Sequence, residues 1–520
     1  MGNLIQNERI KLYRKVSTWV LTGIVLLLNL FLLLIGNLSM SSYYSYQAES
    51  NYGEIDWFGQ YSSLIQDMTL TYENDPSEIG AYYTAQWLQY LKDNNIPPED
   101  WRTDVSWEYY YWLDAEKREE NPDYQLAISF TDYSHNGSTP SVPTLTSAED
   151  RQARMSMLEQ VLQSSDWRAY LQQQIAFLDS GTVSMPEDER TVSREMYQLY
   201  LDLDIEPISF SMNYYMDSDS EGVWKNYEIN SIQQNKLYLL RGETQGAQIL
   251  NRSERARLEQ EVEVSLERLR TNTPPLERMR ENSTYYLFSS LMDQSVSFVS
   301  LLTMVMIVTA GSIIASEFSS GTVKLLLITP HRRGKIFWAK ALILLELTLI
   351  EVAALFISSF LFSGILTGFQ GLGIGQVLYI FGAARHMPYL VFVIYKYLLM
   401  LVPVLVYSAL ALMLSAVTRR GAAAIAVSLV LMYAGEIIVA VLVALASGFG
   451  FEIPGMEFLL FTNTNLTNYL PGASSVTGLV STSGMDTVMT SLPFSLSVLL
   501  VYFVCFLWIA RDSFCRRDIK

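Results

Sequence analysis

The stretch STWVLTGIVLLLNLFLLLIG, from Ser17 to Gly36, contains a single strongly polar side chain, Asn29. A helix needs about 20 mostly apolar residues to cross the roughly 30 Å of hydrocarbon in a bilayer. The stretch is longer than the roughly 7–15 apolar residues of a signal peptide, and no A-x-A cleavage site follows it. It is therefore predicted to be a retained membrane-spanning helix.

Five more stretches of this length and apolar character occur, all of them after residue 285. They are Leu291–Ala315, Ala339–Phe362, Pro388–Val417, Ala422–Ala446 and Pro493–Ala510. The sequence therefore predicts an α-helical polytopic membrane protein with six transmembrane helices. The first lies within residues 1–36, and the other five form a transmembrane domain over residues 286–520.

Charge divides the chain in the same way as hydropathy. Residues 37–285, here called the acidic domain, hold 19 Lys and Arg against 42 Asp and Glu, a net charge of −23. The rest of the chain holds 17 against 11, a net charge of +6, and the two sum to the −17 of all 520 residues. The chain is therefore a soluble acidic domain inserted into a basic, apolar remainder. This organisation excludes three classes of protein: nucleic-acid binders, disordered chains and simple cytosolic enzymes.

The positions of Lys and Arg predict the orientation in the membrane. Short loops rich in these residues are retained on the cytoplasmic side. Four basic clusters fall on one side of a six-span arrangement, whereas the other side has only Arg385 in its shorter loops and none over Ser447–Leu492. The clusters are Arg9–Lys15, Lys324–Lys340, Arg419–Arg420 and Arg511–Lys520. Both termini are therefore expected in the cytoplasm, and the acidic domain outside.

Cysteine content bears on the compartment of the acidic domain. Cys505 and Cys515 are the only cysteines, and both lie outside this domain. An extracytoplasmic domain of this size without disulfides is common among exported proteins of bacteria, because a large core does not need them. The predicted location is therefore the bacterial cytoplasmic membrane.

The acidic domain is predicted to be mainly helical. Apolar residues recur at helical spacing over Glu149–Asp179, Pro186–Leu203 and Asn251–Arg270. Tyr124–Phe130 and Val223–Ile232 are predicted strands. Gln89–Pro98 and Gln198–Pro207 share their Gln-to-Ile and Ile-to-Pro spacings, as expected either of a duplicated helix-turn unit or of chance recurrence of common helix-ending residues.

Catalytic and metal-binding patterns are weak in this domain. His135 has no second His or Cys nearby, which argues against metal ligation by imidazole. The acidic runs Glu116–Glu120 and Asp217–Glu221 suit either a solvated surface or Ca²⁺, and the second lacks the Gly and Glu of a helix-loop-helix calcium site. The aromatic run Trp107–Trp112 suits either a core or a stacking platform. We predict no catalytic residues and no metal site.

The most specific stretch follows the second span and reads EFSSGTVKLLLITPHRRGKIFWAK from Glu317 to Lys340. Val323–Ile328 gives a short apolar stripe that begins after Gly321-Thr322, and Pro330 ends it. Basic residues follow it and remain at the phospholipid surface. We call residues 316–340 the coupling segment.

This segment resembles that of the permease subunit of an ABC-2-type transporter. There, an acidic residue, a Gly-Thr pair, a Leu-rich turn, a Pro, an Arg and a Lys form the element that meets the nucleotide-binding subunit. The N-terminal run Asn7-Glu8-Arg9, with Lys11, Arg14 and Lys15, is similar to the amphipathic helix that precedes the first span in that family. By resemblance, the predicted coupling residues are Glu317, Gly321, Thr322, Lys324, Leu325, Leu326, Pro330, Arg332, Arg333 and Lys340.

The six spans fit the same family, whereas the acidic domain resembles only a subset that has a large insertion between the first two spans. The chain has no G-x-x-x-x-G-K-[ST] phosphate-binding loop. The resemblance therefore implies that ATP and Mg²⁺ act through a separate ATPase subunit. It also implies a second permease chain, identical or different.

Charged residues inside spans are costly and mark functional or structural roles. Glu346, Glu351 and Glu436 are candidates for an intramembrane pathway that attracts cations, with pairing between helices as the alternative. Asp293 and Lys396 are the candidate structural ion pair at the outer rim. Since Glu346 and Glu351 point about 140° apart on a helix, they are not expected to face one small pocket.

The predicted function is ATP-driven export. The apolar stretch 447–492, broken by Pro454, Gly455, Pro471 and Gly472, resembles a re-entrant outer loop. Substrate candidates are an antimicrobial peptide, a lipid or amphiphile, or a cation, and the acidic domain favours cationic peptides because it raises their local concentration. The alternative is a membrane-anchored sensor or cell-surface interaction protein that binds a ligand without transport.

Overall fold

The computed structural model describes residues 2–49, 56–120, 145, 147–181, 185–209, 221–244, 249–250, 252–275, 284–319, 332–369, 372, 375–380, 382–449, 455–470 and 491–516. The described residues form two compact units. One contains those within 1–45, 281–378 and 387–520, and the other those within 46–280 and 379–386. The unit boundaries follow the acidic domain and the transmembrane part closely.

Helices dominate both units. In the first part of the chain they are α1 (Gly2–Tyr13), α2 (Val16–Glu49), α3 (Trp57–Asn74), α4 (Ile79–Asp93), α5 (Trp101–Glu120), α6 (Ala148–Ser164), α7 (Trp167–Asp179), α8 (Glu187–Asp202), α9 (Glu221–Arg241) and α10 (Arg252–Thr271). They continue with α11 (Thr284–Ser297), α12 (Val299–Ser319), α13 (Arg333–Thr367), α14 (Tyr389–Thr418), α15 (Gly421–Phe449) and α16 (Leu492–Arg516). Strands β1 (Gly375–Ile380) and β2 (Ala383–Pro388) form a hairpin, and short 3₁₀ turns lie within 456–469.

Six helical segments among the described residues are long and apolar enough to cross a bilayer. They are Val16–Ser39, Leu287–Ser319, Arg333–Thr367, Tyr389–Thr418, Gly421–Leu442 and Leu492–Arg516. Each overlaps one predicted span. The fold class is therefore confirmed as a helical polytopic membrane protein.

The core of the membrane unit lies around α12 and α14, which pack along each other and against α15. Gly311 permits this close packing, because a Cβ atom there would lie 2.7 Å from a side-chain atom of Ile425. Small residues let transmembrane helices approach closely, and dispersion contacts then stabilise the bundle. α1 lies against α13, and this contact brings the N-terminal residues to the candidate site.

The hairpin between α13 and α14 is not predicted from the sequence. The glycine-rich run Gly371–Gly375 is expected to be a loop, yet β1 begins at Gly375, and Gly382 takes a φ of +82° at the turn. A strand of six residues gives too short an alternating pattern to identify beside so many glycines. The tip of the hairpin groups with the acidic domain, where the backbone N–H of Ala384 donates to Glu263 over 3.1 Å.

The acidic domain contains α3–α10, whose described residues pack around four apolar clusters. Three of the clusters join α3 with α4 and α5, α5 with α6 and α7, and α8 with α9 and α10, and the fourth joins α3 to α4. Trp107 and Trp112 are buried in the first and second of these, so they form part of the core. The predicted helices are present, although Glu149–Asp179 divides into α6 and α7 at Ser165, where φ is +52°.

One predicted strand in this domain is wrong. Val223–Ile232 lies inside α9, and its buried side chains Trp224, Glu228 and Ile232 recur every four residues, which is a helical repeat. The Tyr and Ile residues of this segment favour a strand by intrinsic propensity. Packing of the segment against α8 and α10 stabilises the helix instead. The other predicted strand, Tyr124–Phe130, lies outside the described residues.

Candidate functional site

The structure brings the two described ends of the coupling segment together. Glu317 lies in the last turn of α12, and Lys340 lies in the second turn of α13, after the exposed Arg332 and the half-buried Arg333. The remaining predicted coupling residues lie outside the described residues: Gly321, Thr322, Lys324, Leu325, Leu326 and Pro330.

Lys340 is the centre of a buried charge cluster. Its Nζ donates to Glu317 Oε1 and to Glu8 Oε2, each over 2.6 Å, and the Lys340 side chain is 1% exposed. Lys11 Nζ donates to Glu8 Oε1 over 2.8 Å and lies 3.7 Å from Glu317. Two ammonium groups therefore face two carboxylates, and the cluster is neutral overall. We call these four residues the base cluster.

The local geometry of the N-terminus places Glu8 in this cluster. α1 ends at Tyr13, and after a break at Arg14 and Lys15 the chain continues into α2. The indole N–H of Trp19 donates to the Tyr13 carbonyl over 2.9 Å, and the two rings lie 5.7 Å apart. This bond links the two sides of the break. As a result α1 lies against α13 with Glu8 facing Lys340.

The electrostatics of the base cluster favour the charged forms. Burial alone would raise the pKa of Glu8, but the charges and hydrogen bonds of Lys340 and Lys11 outweigh it and hold the pKa below 4.5. Burial alone would lower the pKa of Lys11, but its hydrogen bond to Glu8 and the charges of Glu8 and Glu317 raise the pKa above 10.5. Such a cluster holds three helices together as long as each charge keeps its partners.

Glu346 lies six residues beyond Lys340 on α13 and contacts α1. Its Oε2 accepts from Arg9 Nη2 over 2.7 Å, and its Oε1 accepts from the Tyr13 hydroxyl over 2.9 Å. Burial and the bond to Glu346 raise the pKa of Tyr13 to about 12. Glu346 therefore fastens α1 to α13.

Farther along α13, polar side chains meet α2. Glu351 is fully buried, and its Oε1 accepts from the Thr22 hydroxyl over 2.7 Å. Two turns farther, Asn29 Nδ2 donates to Ser359 Oγ over 2.8 Å, and both residues are fully buried. Glu346 and Glu351 thus contact different helices. The pathway hypothesis stays a prediction, and the Glu436 side chain lies outside the described residues.

The structure brings Asp293 and Lys396, the candidate structural ion pair, into contact. Lys396 Nζ donates to Asp293 Oδ1 over 2.6 Å and lies 4.6 Å from the centre of the Phe392 ring. The Lys396 side chain is buried, whereas Asp293 is about one-third exposed. The pair joins α11 to α14.

The described part of the 447–492 stretch packs on α15 and α16. Asn463, 1% exposed, donates through Nδ2 to the carbonyls of Glu457 and Leu459 and accepts from Ser495 Oγ over 2.6 Å. Non-helical backbone at membrane depth needs such internal partners. Residues 471–490 lie outside the described residues.

Among the described residues, no three His, Cys, Asp or Glu side chains are grouped as metal ligands would be. In the acidic run of α5, Glu119 pairs with Arg151 and Glu120 with Lys117. His135 and Asp217–Ser220 lie outside the described residues.

The site residues predicted from the sequence do not include Glu8, Lys11, Thr22 and Ser359. A signal for α2 exists, because Thr18, Thr22, Val25, Asn29 and Leu33 recur every three or four residues and all are buried. A polar residue at such positions indicates a face turned towards another helix. The partner on α13 depends on packing and has no sequence signal.

The fold and these contacts define a helical polytopic membrane protein. Within that class, the chain belongs to the same family as the uncharacterized protein YhcI of Bacillus subtilis (strain 168), with 30% identity over 255 residues, 49% of this chain and 76% of the relative. It is also 28% identical to the uncharacterized membrane protein YdbK of the same organism over 220 residues, 42% of this chain and 78% of that relative.

A family model described as "Protein of unknown function (DUF2705)" matches residues 274–520. The match begins near the end of the acidic domain and covers the last five spans. No solved structure matches the chain. The comparisons therefore relate the chain to uncharacterized bacterial proteins, one of which is named a membrane protein.

Proposed function

We propose that this chain is the permease subunit of an ABC-2-type exporter, in which a separate ATPase subunit binds the coupling segment. The observation that carries the proposal is the base cluster. Residues 317 and 340 flank the segment, and a single residue of α1, Glu8, holds Lys340 while Lys340 holds Glu317. Because the segment is anchored at both ends, a movement of the docked ATPase subunit would displace α1, α12 and α13.

The coupling segment, together with the lack of a G-x-x-x-x-G-K-[ST] phosphate-binding loop, suggests separate roles for this chain and its ATPase partner. This chain supplies the pathway and is not itself an enzyme, and the ATPase subunit supplies the ATP and Mg²⁺ site. A second permease chain, identical or different, completes the assembly. The partners are thus proteins and the lipid bilayer, without nucleic acid.

The proposed location is the bacterial cytoplasmic membrane, with both termini inside and the acidic domain outside. Substrate candidates remain an antimicrobial peptide, a lipid or amphiphile, and a cation. The net charge of −23 supports a cationic peptide, because an acidic surface concentrates such molecules near the membrane.

Co-purification from native membranes tests this proposal. The Lys340→Met variant leaves two buried carboxylates without their main partner, at a cost of about 3–5 kcal/mol, and is expected to abolish recovery of a nucleotide-binding protein. Glu317→Gln is the milder second variant. Arg511→Met is the control, because Arg511 is an exposed basic residue of the membrane unit that lies outside the coupling segment.

The amount of each variant in the membrane is measured in parallel. Loss of the ATPase from Lys340→Met and Glu317→Gln at an unchanged membrane level, with retention by Arg511→Met, supports the proposal. If no nucleotide-binding protein accompanies the unaltered chain, the proposal is wrong. A ligand-binding sensor or surface protein, whose spans need no ATPase, then becomes the better interpretation.

A further inference from the structure

Two turns of the acidic domain have the same geometry. After α4, Asn95 takes a φ of +55°, and the N–H of Ile96 donates to the Leu91 carbonyl over 2.9 Å. After α8, Asp204 takes a φ of +53°, and the N–H of Ile205 donates to the Tyr200 carbonyl over 3.0 Å. Each turn is a Schellman-type helix end.

The likeness extends into the helices. Gln89 donates to Asp93 over 2.7 Å, and Gln198 donates to Asp202 over 2.8 Å, four residues on in each case. The matching spacings of Gln89–Pro98 and Gln198–Pro207 therefore correspond to a shared conformation. The structure thus contains the same helix-turn unit twice.

The two turns face each other. Asp100 and Ile208 form an antiparallel bridge, and the N–H of Ser209 donates to the Glu99 carbonyl over 2.9 Å. Between the turns lies a cavity of about 440 Å³. Its apolar walls come from Pro97, Trp101, Ile205, Pro207 and Ile208.

Charge on the rim is unbalanced. Of the four carboxylates in the lining, Asp100 pairs with Arg102 and Asp204 with Arg168. Glu99 and Glu206 are exposed and have no ion pair among the described residues. One basic side chain, Lys225, also lines the cavity. The cavity therefore combines apolar walls with a net negative rim.

We infer that this cavity between the repeated turns binds a peptide segment carrying both basic and apolar side chains. The basic groups interact with Glu99 and Glu206, and an apolar side chain packs against Ile208 and the prolines. Charge complementarity favours this occupant over an acidic or purely apolar one. The inference deepens the proposed function, on which it rests for the assumption that the acidic domain receives substrate.

The probe is a fluorescein-labelled hexapeptide of alternating arginine and leucine, titrated into the full chain in zwitterionic phosphatidylcholine nanodiscs. Empty nanodiscs give the lipid background. The double variant Glu99→Gln/Glu206→Gln is expected to raise the Kd about three- to tenfold, because each rim carboxylate contributes an exposed ion pair. Binding is also expected to weaken as salt increases.

The control double variant, Glu73→Gln/Glu259→Gln, removes two exposed glutamates of the same domain outside the cavity. An unchanged Kd for this control supports the cavity. If both double variants weaken binding equally, the overall negative charge of the acidic domain attracts the peptide, and the cavity is not the binding site. Binding of an alternating glutamate and leucine hexapeptide as tight as that of the arginine one would also overturn the inference. The assay contains no ATPase, so its failure leaves the coupling proposal untouched.

Discussion

At the scale of single residues, the base cluster shows how buried charge specifies an arrangement of helices. Lys340 is buried, yet its ammonium group has carboxylate partners on α1 and α12. Burying an ion costs several kcal/mol, which only well-placed partners offset. An arrangement that separated α1 or α12 from α13 would remove one of the two carboxylates that pair with Lys340, so the cluster favours one register of the three helices.

The contribution of Glu8 to stability is predicted to depend on pH. Its folded pKa lies below 4.5, so its stabilising effect is complete above about 4.5 and is lost as pH falls through the folded value. At pH 7, Glu8→Gln is expected to lower the free energy of unfolding by about 2 kcal/mol. Thermal unfolding of the purified chain measures this difference, which should shrink below about pH 4. The exposed Glu73→Gln serves as control, and a difference that does not change with pH would contradict the prediction.

At the scale of elements, polar contacts and close approaches fix how helices and irregular segments meet. Thr22 with Glu351 and Asn29 with Ser359 join α2 to α13 by side chains. Hydrogen bonds between transmembrane helices contribute about 0.6 kcal/mol each on average, so several are needed to hold a peripheral helix. The 3₁₀ segment over 456–469, which Asn463 joins to α16 by a hydrogen bond, also packs directly against the backbone of α15.

Gly435 is predicted to be essential for that contact. A Cβ atom at this position would lie 2.2 Å from the ring of Phe461, so Gly435→Ala forces the segment away and is expected to cost about 1–3 kcal/mol. Gly23 is the matched control, because a Cβ there meets nothing within 4 Å. Unfolding midpoints in detergent should fall for Gly435→Ala and stay level or rise for Gly23→Ala. Equal midpoints for the two variants would show that the close approach is unimportant.

At the scale of the whole molecule, the charge division is the basis for the predicted orientation. The acidic domain forms most of one compact unit, and the basic clusters lie in the other. Retention of basic loops in the cytoplasm predicts that the basic clusters lie inside and the acidic domain outside.

Cysteine labelling checks that orientation. In a Cys505→Ser/Cys515→Ser background, we expect Ser156→Cys, in the acidic domain, to react with a membrane-impermeant maleimide in intact cells. Lys335→Cys should react only after permeabilisation. Both positions are exposed, so access depends on the compartment. The opposite pattern would invert the proposed topology.

The amino-acid sequence alone predicts the six spans, the acidic domain and the predominance of helix. Hydropathy, charge and periodicity are local properties of the sequence. Each span contains enough apolar residues to be recognised as a transmembrane helix without knowledge of its neighbours. The sequence also identified both ends of the coupling segment, Glu317 and Lys340. Only the tertiary structure decided that Glu8 joins them across more than 300 residues, and that two similar turns face one another around a cavity. These features depend on which helix faces meet, and that is set by packing among segments distant in the chain.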